Sequence, residues 1–220
     1  MTINSYLTDL ASHAILRDDA KVSVQRSIAA LQSRLVNHFG GQIRRQVVFG
    51  SYSRGTILPR SMDPESDVDY MVVFSDSGLQ PQTYLDRLRR FAEVRYARSE
   101  VAQAHPTVAL NLDHIRFELV PAVDGLLTGL QIPAKSSGYQ SWQQTDPTGF
   151  NERLTRANQE ASNMIKPLVR LLKYWNARAG RPYESFELEQ LIAGHGFWFY
   201  GFASSKSLAQ YFSEAVDSLQ

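Results

Sequence analysis

Apolar residues between Asp19 and Phe39 fall at Val24, Ile28, Leu31 and Leu35, spacings of four and three that predict a long helix with one buried face, stopped by Gly40-Gly41. Gln46-Val47-Val48-Phe49 then reads as a short buried strand running into the turn-prone Gly50-Ser51-Tyr52-Ser53-Arg54-Gly55. Leu58 to Ser66, rich in proline, serine and charge, predicts a loop, and Asp67 to Phe74 a strand that alternates before turning wholly apolar. Pro81 suits a helix N-terminus, with Tyr84, Leu85, Leu88, Phe91 and Val94 as the buried face of that helix. Strands are expected from Thr107 to Leu112 and from Ile115 to Val120, joined by a tight turn at Asp113-His114 and closed by Pro121.

Asp124 to Thr145 has no clear period and predicts a long surface excursion. Asp146-Pro147 opens a helix through Met164 that Pro167 kinks or divides, and helices are expected over Leu168 to Asn176, Ser185 to about Phe202, and Ser207 to Leu219. The pattern is α/β (α+β), with a mixed helix and strand half at 1–145 and an all-helical region at 146–220. No internal repeat or low-complexity tract occurs.

Of the 220 residues, 43% are hydrophobic and 20% charged, the balance of a folded globular chain. A net charge of +1 gives no overall basic field, so no strong nucleic-acid binding signal is present. The absence of cysteine excludes disulfides, thiolate catalysis and cysteine-ligated zinc. The N-terminus lacks a basic start followed by an apolar stretch, and no run approaches the roughly 18 apolar residues of a membrane span, so a cytoplasmic protein is expected.

Asp67 and Asp69, one residue apart on a strand, project to the same side and can hold the same cation, while Val68 points to the core. Glu118, between apolar Phe117 and Leu119, also projects away from its neighbours' face and can complete a three-carboxylate cluster for two divalent ions. Each acid alone reads equally as a solvated strand residue. Gly50 permits close backbone approach at the turn, letting the Ser51 N–H and hydroxyl meet a phosphate.

Gly50-Ser51-Tyr52-Ser53-Arg54-Gly55-Thr56, followed by Ser66-Asp67-Val68-Asp69-Tyr70-Met71-Val72-Val73-Phe74, resembles the signature of the DNA polymerase beta nucleotidyltransferase superfamily. Within it, the resemblance is to the bacterial cyclic-oligonucleotide synthases and their animal relatives, the oligoadenylate synthases and cyclic GMP-AMP synthase. Phe117-Glu118-Leu119-Val120-Pro121-Ala122 is similar to the strand carrying their third metal ligand, which is usually aspartate and here is glutamate. Leu168 to Asn176 and Ser185-Phe186-Glu187-Leu188-Glu189 resemble the family's helical spine.

The resemblance implies a nucleotidyltransferase fold with a small sheet on helices and the active cleft between sheet and helical region. It implies Lys173 and Ser185 as triphosphate contacts, in keeping with a point charge for phosphate and a hydroxyl at a helix N-terminus. It further implies two magnesium ions, with manganese as a substitute, on Asp67, Asp69 and Glu118; nucleoside triphosphate substrates; a cyclic di- or trinucleotide product sensed by a separate effector; and a setting in antiphage defence. A nucleotidyltransferase acting on a protein or RNA, and a catalytically weak nucleotide sensor, are the alternatives. Arg54 and Arg60 read as solvated loop arginines and His114 as a surface residue. Tyr174, Trp175, Phe186, Trp198, Phe199 and Tyr200 read as core aromatics, with Tyr139 and Trp142 as further candidates for contact with a base.

Overall fold

The computed structural model describes residues 1–104, 107–125, 128–134, 141–195 and 206–219. In chain order these form α1 (Ile3–His13), α2 (Asp18–Phe39), a 3-10 turn (Gly40–Gln42), β1 (Ile43–Phe49), α3 (Gly50–Arg54), β2 (Asp67–Phe74), α4 (Pro81–Arg95), β3 (Glu100–Ala104), β4 (Thr107–Asn111), β5 (Arg116–Gly125), β6 (Gly129–Pro133), β7 (Trp142–Gln144), α5 (Pro147–Glu160), α6 (Ile165–Arg178), α7 (Ser185–Gly194) and α8 (Leu208–Asp217). The chain gathers into two compact units, Asp18–Ser53 with Asp67–Pro147, and Met1–Arg17 with Arg54–Ser66 and Thr148–Gln220. The grouping therefore exchanges two segments across the single cut expected at 145. Leu7 and Ala11 of α1 are buried with residues of α5, α6 and α8, which ties the N-terminus to the helical unit.

The sheet unit has strand order β1-β2-β5-β4-β3, with β6 pairing to β5 and β7 to β6. β2 and β5 are parallel and all other pairs antiparallel. One face, made of Val68, Tyr70, Val72, Phe74, Phe117, Leu119 and Val123, is fully buried. Phe74 lies edge-on to Phe39 of α2 at 5.4 Å and against Tyr84 of α4 at 4.8 Å, so both long helices cover this face. Burial pushes the Tyr70 phenol up to about 12, and its hydroxyl donates to Gln46 Oε1 at 2.8 Å. The other face carries Met71, Val73 and Ala122 with Val47, Phe49, Leu130 and Ile132. β1 is hydrogen-bonded to β2 on one side, bears Arg44 and Arg45, and has a register irregularity between Ile43 and Arg45.

Several expectations are corrected. Residues 124–145 are not a plain excursion, because β6 and β7 extend the sheet from the far end of β5. β5 is not closed by Pro121 but runs on to Gly125. Pairing with β4 reaches Leu119 and pairing with β6 begins at Val123, so Pro121 falls between the two antiparallel neighbours, where a residue without an N–H donor is tolerated. Val94 is 66% exposed rather than part of the buried face of α4. α1 and β3 have no counterpart in the periodicity. Residues 196–205, including Trp198, Phe199 and Tyr200, lie outside the described residues, as does Tyr139.

In the helical unit α5 ends at Glu160, ahead of Pro167 rather than at it. Ser162 and Asn163 take left-handed backbone angles, and the Asn158 side chain bridges the break, accepting from the Lys166 N–H at 2.9 Å. Pro167 sits in the first turn of α6, where no intrahelical N–H bond is lost. Among the described residues no helix is long and apolar enough to cross a membrane.

Phe91 is fully buried and Val94, one turn on, is exposed. Phe91→Ala is expected to lower the unfolding free energy by about 3–5 kcal/mol. Val94→Ala should change it by less than about 0.5 kcal/mol in the same urea titration.

Candidate active site

β2 opens on Asp67 and Asp69, and two-residue alternation sends both carboxylates to one face while Val68 and Tyr70 fill the core. Parallel pairing places Asp67 beside Arg116 and Asp69 beside Glu118. Partners in such a ladder are about 4.8 Å apart, so all three expected acids share one face of two adjacent strands. That face continues into the Met71, Val73 and Ala122 cluster, so the carboxylates stand at the polar end of an otherwise apolar surface.

The three acids do not close into one cluster. Glu118 Oε1 accepts from Arg116 Nη2 at 2.8 Å, and Oε2 accepts from Thr107 Oγ1 at 3.2 Å. Among the described residues, no three His, Cys, Asp or Glu side chains gather as a metal-holding group. Two aspartates on one face are hard oxygen donors suited to magnesium or manganese, so Asp67 and Asp69 fit a divalent cation. Both Glu118 oxygens are already engaged by donors.

Gly50 has φ +68°, a left-handed conformation that side chains rarely adopt. A Cβ built there would overlap the Asp69 carboxylate and come within 2.5 Å of its Cγ. The close approach that this glycine allows in the structure is to Asp69. Ser53 Oγ donates to the Gly50 carbonyl at 2.9 Å, closing the turn, and Ser51 is buried at 9% exposure. His114, given no role from the sequence, has Nε2 at 2.9 Å from Ser27 Oγ.

Within the helical unit, Lys173 is buried at 7% exposure and donates to Glu189 Oε1 at 3.2 Å. The same carboxylate accepts from Thr56 Oγ1 at 2.8 Å and from Arg54 Nε at 2.6 Å, and Glu189 itself is 1% exposed. Arg54 is therefore no solvated loop residue; its guanidinium also lies over the Phe150 and Phe186 rings. Arg170, one turn before Lys173, donates from Nη1 to the Gly55 carbonyl at 3.0 Å, and burial lowers its pKa. Ser185 is the first residue of α7, behind Glu184 as N-cap. Arg60 donates from Nε to the Pro64 carbonyl at 3.2 Å.

Arg116, Thr107 and Glu189 are the residues that reading the sequence missed. Arg116-x-Glu118 on one strand has the same same-side spacing as Asp67-x-Asp69, which is the signal that could have found the first. Glu189 lies one turn after Ser185 with no local cue to its burial.

The sequence pattern of the family described as Second Messenger Oligonucleotide or Dinucleotide Synthetase domain matches residues 1–158. The chain belongs to this family. The matched range contains Gly50, Ser51, Asp67, Asp69 and Glu118, while Lys173 and Ser185 lie beyond it. Relatives of the synthetase family include a protein of Bacillus cereus strain VD146 named as a probable cyclic nucleotide synthase, 25% identical, with 66% of this chain and 53% of that protein covered. Another is the CBASS oligonucleotide cyclase CdnC of Escherichia coli strain KTE188, 26% identical, with 80% of this chain and 59% of that protein covered. The chain thus spans little more than half the length of these relatives. The solved structure of the CD-NTase CdnG of Bradyrhizobium diazoefficiens with GTP superposes with a TM-score of 0.75 at 14% identity, over 97% of this chain and 75% of that one. The nucleotidyltransferase fold expected from the resemblance is therefore present.

Gly55 shares the left-handed conformation of Gly50, at φ +71°, but has nothing within 4 Å of a built Cβ. Gly55→Ala should cost about 1 kcal/mol and Gly50→Ala clearly more, about 2–3 kcal/mol, in chemical denaturation. Equal losses would mean that the Asp69 contact is not what Gly50 provides. Glu189→Ala leaves Arg54 and Lys173 buried without their shared carboxylate, and should destabilise the chain by about 3–5 kcal/mol in the same measurement.

Proposed function

We propose that the chain is the catalytic part of a divalent-cation-dependent nucleotidyltransferase that joins ribonucleoside triphosphates into a cyclic di- or trinucleotide and releases pyrophosphate. The observation that carries this reading is the Asp67 and Asp69 pair, on one face at the head of β2 and packed on Gly50, inside the segment matched by the synthetase family.

A ribose hydroxyl of one nucleotide attacks the α-phosphorus of a triphosphate. The new P–O bond forms as the bond to the bridging oxygen of the β-phosphate breaks, pyrophosphate leaves, and the hydroxyl proton passes to water. Asp67 and Asp69 hold magnesium or manganese; when bound, such ions acidify the attacking hydroxyl and neutralise the departing pyrophosphate. Gly50 keeps the Asp69 carboxylate in place by leaving room for it, and the Ser51 hydroxyl is the proposed phosphate contact of the same turn. Lys173 and Ser185 are proposed as triphosphate contacts on the family resemblance. For Lys173 this requires the ammonium to share itself between Glu189 and a phosphate. The names of the relatives support a role in antiphage defence, with the product sensed by a separate effector and the enzyme acting in the cytoplasm.

Purified protein incubated with labelled ribonucleoside triphosphates and magnesium or manganese should yield a phosphatase-resistant product. The Asp67→Asn, Asp69→Asn double variant should lose that product by a factor of at least about a thousand while keeping its circular dichroism spectrum. A labelled macromolecule in place of a soluble product would instead indicate an enzyme acting on protein or RNA. Nucleotide binding without turnover would indicate a sensor.

A further inference from the structure

The four charged side chains at the head of the β2 and β5 ladder are Asp67, Asp69, Arg116 and Glu118. Their pattern is not a plain acidic cluster. Arg116 and Glu118 lie two apart on one strand, so they share a face and pair directly, Nη2 to Oε1 at 2.8 Å, with side chains 25% and 20% exposed. Thr107, only 4% exposed, reaches the second oxygen from β4 at 3.2 Å. Glu118 therefore has a donor on each oxygen, supplied by two strands, and turning it toward a metal would break both bonds. Arg116 Nε is buried with no hydrogen-bond partner, so the guanidinium is held in place by its Glu118 contact and by packing rather than by water around it.

The charges of these four groups decide how many ions the face can take. Three carboxylates and one guanidinium leave two negative charges, the amount that a single divalent ion neutralises. A second ion would leave the four groups positively overcharged until the phosphates of a nucleotide arrive with their own negative charge.

We infer that Arg116 is a built-in counter-ion that keeps Glu118 out of the ligand set, so that the protein without nucleotide binds one divalent ion, on Asp67 and Asp69. Glu118 is then a positioning residue acting through Arg116. This inference rests on the proposed metal role of the two aspartates.

The test is a titration of the nucleotide-free protein with Mn2+ alone, following free ion by its electron paramagnetic resonance signal, so that turnover plays no part. Wild type should take up one Mn2+ per chain. Asp69→Asn should weaken binding by about a hundredfold, and Glu118→Gln, which keeps the shape and one acceptor oxygen, by less than about fivefold. In an Arg116→Met background Glu118 is released to the site, so adding Glu118→Gln there should now cost about tenfold. If Glu118→Gln in the wild-type background weakens Mn2+ as much as Asp69→Asn does, or if two ions bind without nucleotide, the inference is overturned while the aspartate site stands. If Asp69→Asn leaves Mn2+ binding unchanged, or wild type takes up none, the metal role of the aspartates fails and the inference goes with it. Thermal unfolding of each variant separates lost binding from lost fold.

Discussion

Parallel pairing of β2 with β5 is the constraint on which the candidate site depends. A parallel neighbour cannot follow through a tight turn, so the chain must leave the sheet through α4, build the β3 and β4 hairpin, and return before β5 can lie alongside. What this connection secures is register. A slip of a single residue would carry Glu118 and Arg116 into the layer beneath α4 and bring Phe117 and Leu119 out among the carboxylates. The apolar residues that alternate with the charged ones fix the arrangement: Val68, Tyr70, Phe117 and Leu119 have to be buried, and burying them sets out the acids. The core of the sheet unit thus specifies its polar edge.

Much of this could be read along the chain where the information is local. Two-residue alternation places Asp67, Asp69 and Glu118 on the correct side of their strands, and helical spacing finds α2 and most of α4. Information that is distant in sequence could not be read this way. β6 and β7 are short and contain glycine, proline and glutamine, and they become strands because the overhang of β5 beyond Pro121 offers them an edge. α1 belongs to the helical unit through Leu7 and Ala11, whose partners lie about 140 residues or more away. Glu118 shows the limit within the site itself: its direction follows from its neighbours, but its engagement follows from Thr107 on a different strand.

The helical unit makes the same point with charge. Glu189 is a buried acid surrounded by Arg54, Thr56 and Lys173, residues drawn from the segment at 54–66 and from α6. Nothing near Glu189 in sequence announces this, since it lies on a helix with exposed residues on either side of Leu188 and itself. A buried ion pair of this kind adds little net stability over an apolar core, but it penalises any arrangement that separates its members. It therefore fastens the segment after the Gly50 turn to the helices by penalty rather than by attraction. The lysine expected to meet phosphate is part of that fastening.

A different consequence follows from the outer rim of β1. A strand with an unpaired flank is a template on which another polypeptide can add itself, the route by which sheets join edge to edge and aggregate. Here the rim begins with an irregularity in its ladder and presents Arg44 and Arg45, with Arg45 held at 2.8 Å by Asp124. A passing strand would meet a broken hydrogen-bond repeat and two guanidinium groups, one of them tied down. The rim is in this way closed to recruitment, and the sheet that carries the carboxylates can keep an open border without becoming adhesive.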